Sequence, residues 1–321
     1  MKAIVYSRYG SPGVLYLADV PKPVVKDGEV LVRVHSAAVN PLDWHLLRGQ
    51  PYIVRPTSGW LKPKRNIPGI DVAGVVEAVG RDVTQFQPGD EVFGEKSRAC
   101  AEYVCGAATL FVHKPANMTL EQASAIPVGA VTALQALREH GNVQRGQRVL
   151  INGASGGVGT FAVQLAKSFG ANVTGVCSTP NVELVRSLGA DDVIDYTRES
   201  FTRRGERYDL IVDNVGNHSL MALRRVLAPS GKVVMVGMAK GNWLAPIVRM
   251  LGATLLSRFG TRKVAFMLAD VKRKDLLFLT ELIEAGKVTP VIDRRYPLHE
   301  VPDAIRYLET MRARGKVVIT V

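Results

Sequence analysis

A glycine-rich segment constrains the fold of this chain more than any other feature. An apolar run at residues 149–151 leads through Asn152 into the sequence Gly-Ala-Ser-Gly-Gly-Val-Gly, and a segment with a small, apolar face follows. This order is typical of a strand, a tight turn and a helix N-terminus whose backbone N–H groups bind the pyrophosphate of a dinucleotide. The cofactor contacts predicted from this turn are Ser155, Gly156, Gly157, Val158 and Gly159.

The segments after this turn alternate in the manner of βαβ units. A helix is predicted at 182–188, and strands are predicted at 172–177, 192–195, 208–213 and 232–236. Such alternation predicts an α/β fold with a parallel, doubly wound sheet. The first position of the usual glycine motif is Ala154, and glycine in a turn also has purely steric uses. A structural turn without a cofactor is therefore the alternative.

The composition is that of a globular protein with room for two domains. The chain has 321 residues, of which 47% are hydrophobic and 22% are charged, so it can bury large cores. Arg249 and Arg258 interrupt the most apolar run, at 243–259, and no basic-then-apolar leader follows Met1. We therefore predict a cytoplasmic protein with no membrane partner.

The net charge of +12 at pH 7 is unusual for such a chain. The basic clusters are scattered, and no nucleic-acid motif accompanies them, so we predict no specific nucleic-acid partner. A solvated basic surface is the simplest interpretation, with attraction of a polyanionic cofactor or nonspecific nucleic-acid binding as alternatives. The number and spacing of Cys100, Cys105 and Cys177 fit neither a disulfide framework nor a zinc site.

Residues 1–120 are predicted to form a separate, β-rich domain. Gly and Pro turns separate strand-like runs at 3–6, 29–38, 72–79, 91–93 and 101–104. A Pro- and Lys-rich insert at 51–68 is predicted to be a loop. The α/β part occupies 121–289, beginning after the helix N-cap candidate Thr119. Residues 290–321 return to strand, helix and strand, and are predicted to complete the first domain.

The order of these motifs resembles the medium-chain dehydrogenase/reductase superfamily. Within it, the chain is similar to the zinc-independent quinone oxidoreductase (zeta-crystallin-like) branch. The resemblance covers nearly the whole chain and rests on NPLDWHLLRG at 40–49, PGIDVAGVVEAVG at 68–80, PGDEVFG at 88–94, NGASGGVG at 152–159, LGAD at 188–191 and GKVVI at 315–319. It implies a GroES-like, β-rich catalytic domain and a Rossmann domain that binds NADPH.

Departures from the zinc alcohol dehydrogenases predict that no metal is bound. Those enzymes carry a Cys where this chain has Asn40, and a His-Glu pair where it has Ile70 and Asp71. A catalytic zinc ion needs about three protein ligands. Without such a Lewis acid, hydride addition to an already activated acceptor is easier than oxidation of a simple alcohol.

The predicted function is NADPH-dependent reduction of quinones or α,β-unsaturated carbonyls by hydride transfer from nicotinamide C4. The alternatives are an NADPH-binding structural or regulatory protein with little turnover, and an enoyl reductase of a biosynthetic pathway. The resemblance also implies a homodimer, for which residues 253–259 are a candidate edge strand.

Four residues are considered for the reacting end of the site. Asn40 could donate an amide N–H to a substrate oxygen, or could only form a turn before Pro41. His45 is the candidate proton donor, with a pocket-lining role as the alternative. Asp43 is more consistent with a structural hydrogen-bond acceptor than with a general base. Thr132 could contact the nicotinamide or cap backbone groups.

The end of the second predicted strand favours NADPH over NADH. NAD enzymes usually place a carboxylate there, but no acidic residue follows Ser178 before Glu183. The resemblance implies that Ser178 and Tyr196 bind the 2′-phosphate. It also leads us to expect a basic residue immediately after Ser178, which this chain lacks; Arg314 or Lys316 could compensate.

Two further cofactor candidates follow strands of the predicted parallel sheet. Asn214 comes after the run at 208–213, and Gly237 comes after the run at 232–236. Ligands bind at the carboxyl ends of such strands. Turn formation is the alternative role for both residues.

Overall fold

The computed structural model describes residues 1–50, 52, 55–64, 66–237 and 261–321. The chain divides into two compact units. The first comprises Met1–Val131 and Val271–Val321, and the second comprises Thr132–Asp270. No helix in the described part is long and apolar enough to span a membrane. The candidate edge strand at 253–259 lies outside the described residues, so the homodimer stays a prediction.

The unit boundaries differ from the predicted positions at 120 and 290. Helix Arg273–Glu284 belongs to the first unit, although its sequence resembles the helices of an α/β domain. The backbone N–H of Ala116 donates to the Glu284 carboxylate, and the Asn117 amide donates to the Ile283 carbonyl. These bonds attach the helix to the segment before residue 120, which sequence pattern alone does not reveal.

The first unit is built on a mostly antiparallel sheet of seven described strands. Their order is Ile292–Pro297, Lys316–Thr320, Glu29–Val39, Asp71–Val79, Glu91–Glu95 and Phe111–His113, while Tyr103–Ala107 also pairs with Glu29–Val39. Strands Lys2–Val5 and Tyr16–Asp19 form a separate antiparallel pair. The other described helices of this unit are Pro41–Arg48, Arg55–Ser58, Leu120–Ser124 and Val301–Glu309. The short helix Arg55–Ser58 corrects the prediction that the insert at 51–68 is only a loop.

Alternating side chains explain how strand Glu29–Val39 supports this unit. Val30, Val32 and Val34 are buried in the main hydrophobic cluster, whereas Arg33 and His35 are exposed. This period of two is expected for a strand with one face on the core. The strand then ends at Val39, and the chain turns into helix Pro41–Arg48 through Asn40.

The second unit contains a six-stranded parallel sheet. In chain order, its strands are Arg148–Asn152, Asn172–Cys177, Asp192–Asp195, Tyr208–Asp213, Leu227–Met235 and Lys263–Phe266. Their spatial order is third, second, first, fourth, fifth and sixth, and every neighbouring pair is parallel. This is the strand order of the Rossmann fold, in which ligands bind where the order reverses. The prediction of an α/β, doubly wound sheet is confirmed.

Helices accompany this sheet as the sequence predicts. The described α-helices are Gly159–Ser168, Val182–Ser187 and Leu220–Arg225. Helix Pro127–Gln135, which begins in the first unit, and the π-helical turn Ala136–His140 precede the first strand. The order reverses between strands Arg148–Asn152 and Tyr208–Asp213, which lie side by side. Asn152 and Asp213, the last residues of these strands, therefore mark the expected ligand edge.

Candidate functional site

The glycine-rich turn has the shape expected of a dinucleotide cradle. Gly153 follows the first strand with φ +79, a left-handed conformation that favours glycine. A Cβ on Gly159 would lie 2.0 Å from the Gly153 carbonyl oxygen, so this glycine is required by the turn itself. A Cβ on Gly156 would meet only that oxygen, at 3.5 Å. Gly156 therefore leaves a face of the turn open to a ligand.

Four buried side-chain atoms in the described residues lack a hydrogen-bond partner. They are Thr160 Oγ1, Asn181 Oδ1, and both Nδ2 and Oδ1 of Asn214. Each unsatisfied buried polar group costs about 1–3 kcal/mol, so such groups call for an explanation. Thr160 lies in the first turn after the glycines, and the two asparagines follow strands of the parallel sheet. These positions and the open turn fit a polar ligand such as a nicotinamide dinucleotide.

A polar network fixes the two strand ends at the point where the order reverses. The Asn152 amide donates to Asp213 Oδ1 at 2.8 Å and to Asn217 Oδ1 at 3.0 Å. Asp213 Oδ1 also accepts the backbone N–H of Gly216 at 3.0 Å. These residues were missed at the level of sequence. The available signal was a polar residue at the end of each of two buried apolar strands.

The structure brings together three residues predicted to bind the cofactor, namely Ser155, Ser178 and Tyr196. Asp195 pairs with Cys177 across two parallel strands, and the Tyr196 N–H donates to the Cys177 carbonyl at 3.0 Å. Ser178 therefore lies beside Tyr196. Asn181 connects this edge to the glycine-rich turn, because its Nδ2 donates to Ser155 Oγ at 3.1 Å and to Ser178 Oγ at 3.2 Å. Asn181 was not among the predicted cofactor contacts.

The remaining cofactor candidates have different surroundings. Thr132 is buried in helix Pro127–Gln135. A Cβ on Gly237 would lie 2.2 Å from the Asn214 carbonyl oxygen, so this glycine allows two strand ends to approach closely. Arg314 is exposed, and its backbone N–H donates to Asp293 at 2.9 Å.

In the first unit, Asn40, Asp71 and Lys316 form a buried, hydrogen-bonded cluster. The Lys316 ammonium donates to Asn40 Oδ1 at 2.6 Å and to Asp71 Oδ2 at 2.8 Å. The Asn40 amide also donates to Asp71 Oδ2, at 3.0 Å. The backbone N–H of Val128 donates to the other Asp71 oxygen at 2.9 Å. The predicted phosphate contact Lys316 is thus only 3% exposed and already paired with a carboxylate.

This cluster changes the interpretation of Asn40 and Lys316. The Asn40 amide group is engaged within the protein, by Asp71 and by a long contact to the Ala38 carbonyl at 3.5 Å. It therefore orients a carboxylate and an ammonium instead of presenting a free N–H to a substrate. Lys316 supplies the counter-ion for Asp71, a role that differs from the phosphate contact expected from the sequence.

Asp43 accepts hydrogen bonds from two backbone segments beside this cluster. Its Oδ2 accepts the Asn40 N–H at 2.7 Å, and its Oδ1 accepts the Gly69 N–H at 2.9 Å. The carboxyl therefore joins the start of helix Pro41–Arg48 to the segment before strand Asp71–Val79. This geometry agrees with its interpretation as a structural acceptor. Burial raises the pKa of Asp43 to about 6, against the lowering effect of the two N–H donors.

The raised pKa of Asp43 predicts a pH-dependent stability. Because the folded state holds this proton more tightly than the unfolded state, the stabilisation is complete below the unfolded pKa of about 3.8 and is lost as pH rises through about 6. This difference in pKa between the folded and unfolded states corresponds to about 3 kcal/mol of stabilisation at low pH. We expect the free energy of unfolding between pH 4 and pH 7 to fall more steeply for the wild type than for Asp43→Asn. If the free energy of unfolding changed with pH in the same way in both proteins, the raised pKa of Asp43 would be contradicted.

His45 is held in a geometry that does not favour proton donation. Its Nδ1 lies 2.8 Å from the Gln50 carbonyl oxygen, so Nδ1 carries the hydrogen. The imidazole stacks on Trp44, with 3.6 Å between the ring centroids. Burial lowers the pKa of His45 despite this bond, which favours the neutral ring at pH 7. The other nitrogen, Nε2, is then an acceptor. This arrangement agrees better with the alternative role of His45 as a pocket-lining side chain.

The chemistry of the described side chains does not provide a metal site at these positions. No group of three His, Cys, Asp or Glu residues in the described ranges could hold a metal ion. Burial raises the pKa of Cys100, and raises the pKa values of Cys105 and Cys177 to about 11. These thiols are therefore protonated at neutral pH.

Comparison with known proteins identifies the family. The model of the alcohol dehydrogenase GroES-like domain matches residues 26–137, and a zinc-binding dehydrogenase model matches residues 188–319. The chain is 36% identical to the mitochondrial NAD(P)H oxidoreductase RTN4IP1 of Mus musculus, covering 100% of this chain and 89% of that protein. It is also 36% identical to the chloroplastic NADPH-dependent alkenal/one oxidoreductase of Arabidopsis thaliana, covering 99% and 79%.

A solved structure of a quinone oxidoreductase is also similar to this chain. The quinone oxidoreductase from Coxiella burnetii superposes with a TM-score of 0.88 and 31% identity, covering 100% of this chain and 99% of that one. Because some relatives are named as mitochondrial or chloroplastic, a cytoplasmic location stays a prediction for this chain. The chain belongs to the medium-chain dehydrogenase/reductase superfamily, in its quinone oxidoreductase branch, and is an oxidoreductase that uses a nicotinamide cofactor.

Proposed function

We propose that this protein reduces quinones or α,β-unsaturated carbonyls with NADPH and without zinc. The observation that carries the proposal is the cluster of Asn40, Asp71 and Lys316. By resemblance, Asn40 and Asp71 stand at positions where the zinc alcohol dehydrogenases hold metal ligands, and the Lys316 ammonium already neutralises the Asp71 carboxylate. Such a set provides one carboxylate and one amide oxygen, whereas a catalytic zinc site needs about three ligands.

The second unit supports the cofactor part of this proposal. Ser155, Gly156, Gly157, Val158 and Gly159 would hold the pyrophosphate, with Ser178 and Tyr196 at the adenosine end. Asn214, whose buried amide lacks a partner, and Gly237 would lie near the nicotinamide end. Thr132 and Arg314 stay predicted cofactor contacts. When bound, NADPH supplies a hydride from nicotinamide C4.

The proton that completes the reduction would come from solvent. At neutral pH, the His45 ring is neutral and uses its N–H on the Gln50 carbonyl, so it has no spare proton to donate. A quinone or enone tolerates this arrangement, because the added charge moves to a remote oxygen that water can protonate. A simple ketone would gain more from a metal ion at the oxygen.

A chelator experiment tests the zinc-independent reaction. We expect NADPH oxidation with a quinone and with an enone to survive dialysis against a strong chelator, with substoichiometric zinc by elemental analysis. A panel that includes an enoyl thioester tests the alternative of an enoyl reductase of a biosynthetic pathway. Loss of activity that added zinc restores would overturn the proposal. Tight NADPH binding without turnover on any acceptor would favour the structural or regulatory role.

The cofactor preference is tested by Ser178→Asp. A carboxylate at this position would repel a 2′-phosphate and could bind ribose hydroxyls, so NADPH affinity should fall at least about tenfold while NADH affinity holds or rises. Fluorescence titration of both cofactors measures the two affinities. Ser178→Ala is the matched control, since it removes the hydroxyl without adding charge. Equal losses for both cofactors would contradict a phosphate contact at residue 178.

A further inference from the structure

The adenosine edge of the second unit lacks a cation where one is expected. In doubly wound folds, an arginine near the end of the second strand accommodates the 2′-phosphate of NADP. Here that strand ends at Cys177, and residues 178–181 are Ser, Thr, Pro and Asn. The neighbouring third strand, Asp192–Asp195, ends with Asp195 paired to Cys177. The edge therefore presents a carboxylate beside the position proposed for a phosphate.

The carboxylate of Asp195 is fully engaged by nearby threonines. Thr179 Oγ1 donates to Asp195 Oδ2 at 2.6 Å, and Thr197 Oγ1 donates to Asp195 Oδ1 at 2.7 Å. The Thr197 backbone N–H also donates to Oδ1, at 3.0 Å. The bond from Thr179 lowers the pKa of Asp195, which keeps the group charged at neutral pH. This carboxylate is turned into the loop and is not presented to ribose hydroxyls.

Arg198 lies against the same carboxylate. Its Nε is 3.5 Å from Asp195 Oδ2, the oxygen that Thr179 binds, and its side chain is 76% exposed. Its backbone N–H donates to the Asp195 carbonyl at 3.0 Å, which fixes the start of the side chain beside the strand end. The guanidinium therefore reaches the region of residue 179 from the third strand, although the second strand contributes no cation there.

We propose that Arg198 supplies the cation that binds the 2′-phosphate of NADPH, in place of a basic residue directly after Ser178. This inference rests on the proposed use of NADPH. The long, exposed contact with Asp195 leaves the planar guanidinium able to turn one edge to a phosphate, which it can bind with two parallel hydrogen bonds. Its charge also offsets Asp195, which would otherwise repel the phosphate.

Neighbouring arginines are more strongly committed to other partners. Arg186, on helix Val182–Ser187, contacts Glu183 at 2.7 Å. Arg204 contacts Asp192 at 2.6 Å and Glu199 at 3.2 Å. The weaker ion pair of Arg198 and its place beside the Ser178 edge distinguish it from both. Arg186→Ala is therefore the matched control for Arg198→Ala.

The test compares cofactors that differ only in the phosphate. Isothermal titration calorimetry measures the affinities for NADPH and NADH of the wild type, Arg198→Ala, Arg198→Lys and Arg186→Ala. Titration with 2′,5′-ADP and with 5′-AMP measures the contribution of the adenosine end alone. For Arg198→Ala we expect about a 10- to 100-fold loss for NADPH and 2′,5′-ADP. We expect less than about a twofold change for NADH and 5′-AMP, because neither carries the phosphate. Arg198→Lys should retain part of the affinity, and Arg186→Ala should resemble the wild type.

The remaining outcomes distinguish an error about Arg198 from an error about the proposed use of NADPH. If Arg198→Ala leaves NADPH and 2′,5′-ADP binding unchanged while the wild type still prefers NADPH, the inference about Arg198 is wrong and the proposed function stands. The same holds if Arg314→Ala, and not Arg198→Ala, removes the preference. If the wild type prefers NADH, the NADPH part of the proposed function fails, and the inference fails with it.

Discussion

Replacing Lys316 with methionine is expected to destabilise the first unit by about 3–5 kcal/mol. Methionine keeps most of the apolar volume but removes the ammonium that lies 2.8 Å from the carboxylate of Asp71. Asp71 is fully buried, so the variant would leave a charge without a counter-ion in the interior. Hydrogen exchange of the amides in strand Lys316–Thr320 measures the loss within this unit, which avoids assuming that a two-unit chain unfolds in one step.

Two further variants separate the buried charge from the loss of a side chain. The double variant Lys316→Met with Asp71→Asn removes both charges and should recover much of the lost stability, because the remaining amides can still form hydrogen bonds. Lys167→Met is the surface control, since Lys167 is partly exposed and pairs with the half-exposed Asp191. It should cost no more than about 1 kcal/mol. Equal effects of Lys316→Met and Lys167→Met would show that the buried pair contributes little.

The second unit is where local sequence patterns predicted most of the structure. The strand predicted at 172–177 is observed as Asn172–Cys177, and the glycine-rich turn joins a strand to a helix as expected. These patterns succeed because a parallel strand is buried on both faces and its apolar run is bounded by turn residues. In the first unit, the helix predicted within residues 290–321 is observed as Val301–Glu309, and Met311, shortly after its end, adopts a left-handed conformation with φ +57. Nothing in the apolar spacing signals that end.

The candidate site in the first unit was predicted less completely, because it depends on contacts between distant segments. Asn40 and Asp71 were noted as departures from metal ligands, yet their partner Lys316 lies 245 residues beyond Asp71. A buried lysine beside a carboxylate has no local pattern, and in sequence Lys316 is simply one basic residue among 41. Asn181 and Asp195 were missed for a related reason, since their importance comes from neighbouring strand ends meeting at one edge of the sheet.

Alanine at two glycines of the same turn should weaken NADPH binding in both variants but lower stability in only one, which separates folding from cofactor binding. In Gly159→Ala, the new methyl would lie 2.0 Å from the Gly153 carbonyl oxygen, so the turn must move and both stability and NADPH binding should fall. In Gly156→Ala, the methyl meets that oxygen only at 3.5 Å, which is ordinary van der Waals contact. The fold should therefore persist, with thermal unfolding close to that of the wild type. The methyl would occupy the open face proposed for the pyrophosphate, so NADPH affinity should fall about 10- to 100-fold through the loss of one or two charge-assisted hydrogen bonds.

The comparison is decisive because one substitution leaves the unliganded turn intact. Circular dichroism and thermal unfolding establish whether Gly156→Ala is folded, and titration with NADPH, NADH and 2′,5′-ADP measures binding. Both dinucleotides should weaken together, since they share the pyrophosphate, and this separates the turn from the phosphate-specific effects expected at residues 178 and 198. A folded Gly156→Ala that binds NADPH as tightly as the wild type would mean that the open face of the turn is not the pyrophosphate site. The glycines would then serve the close packing of strand and helix alone.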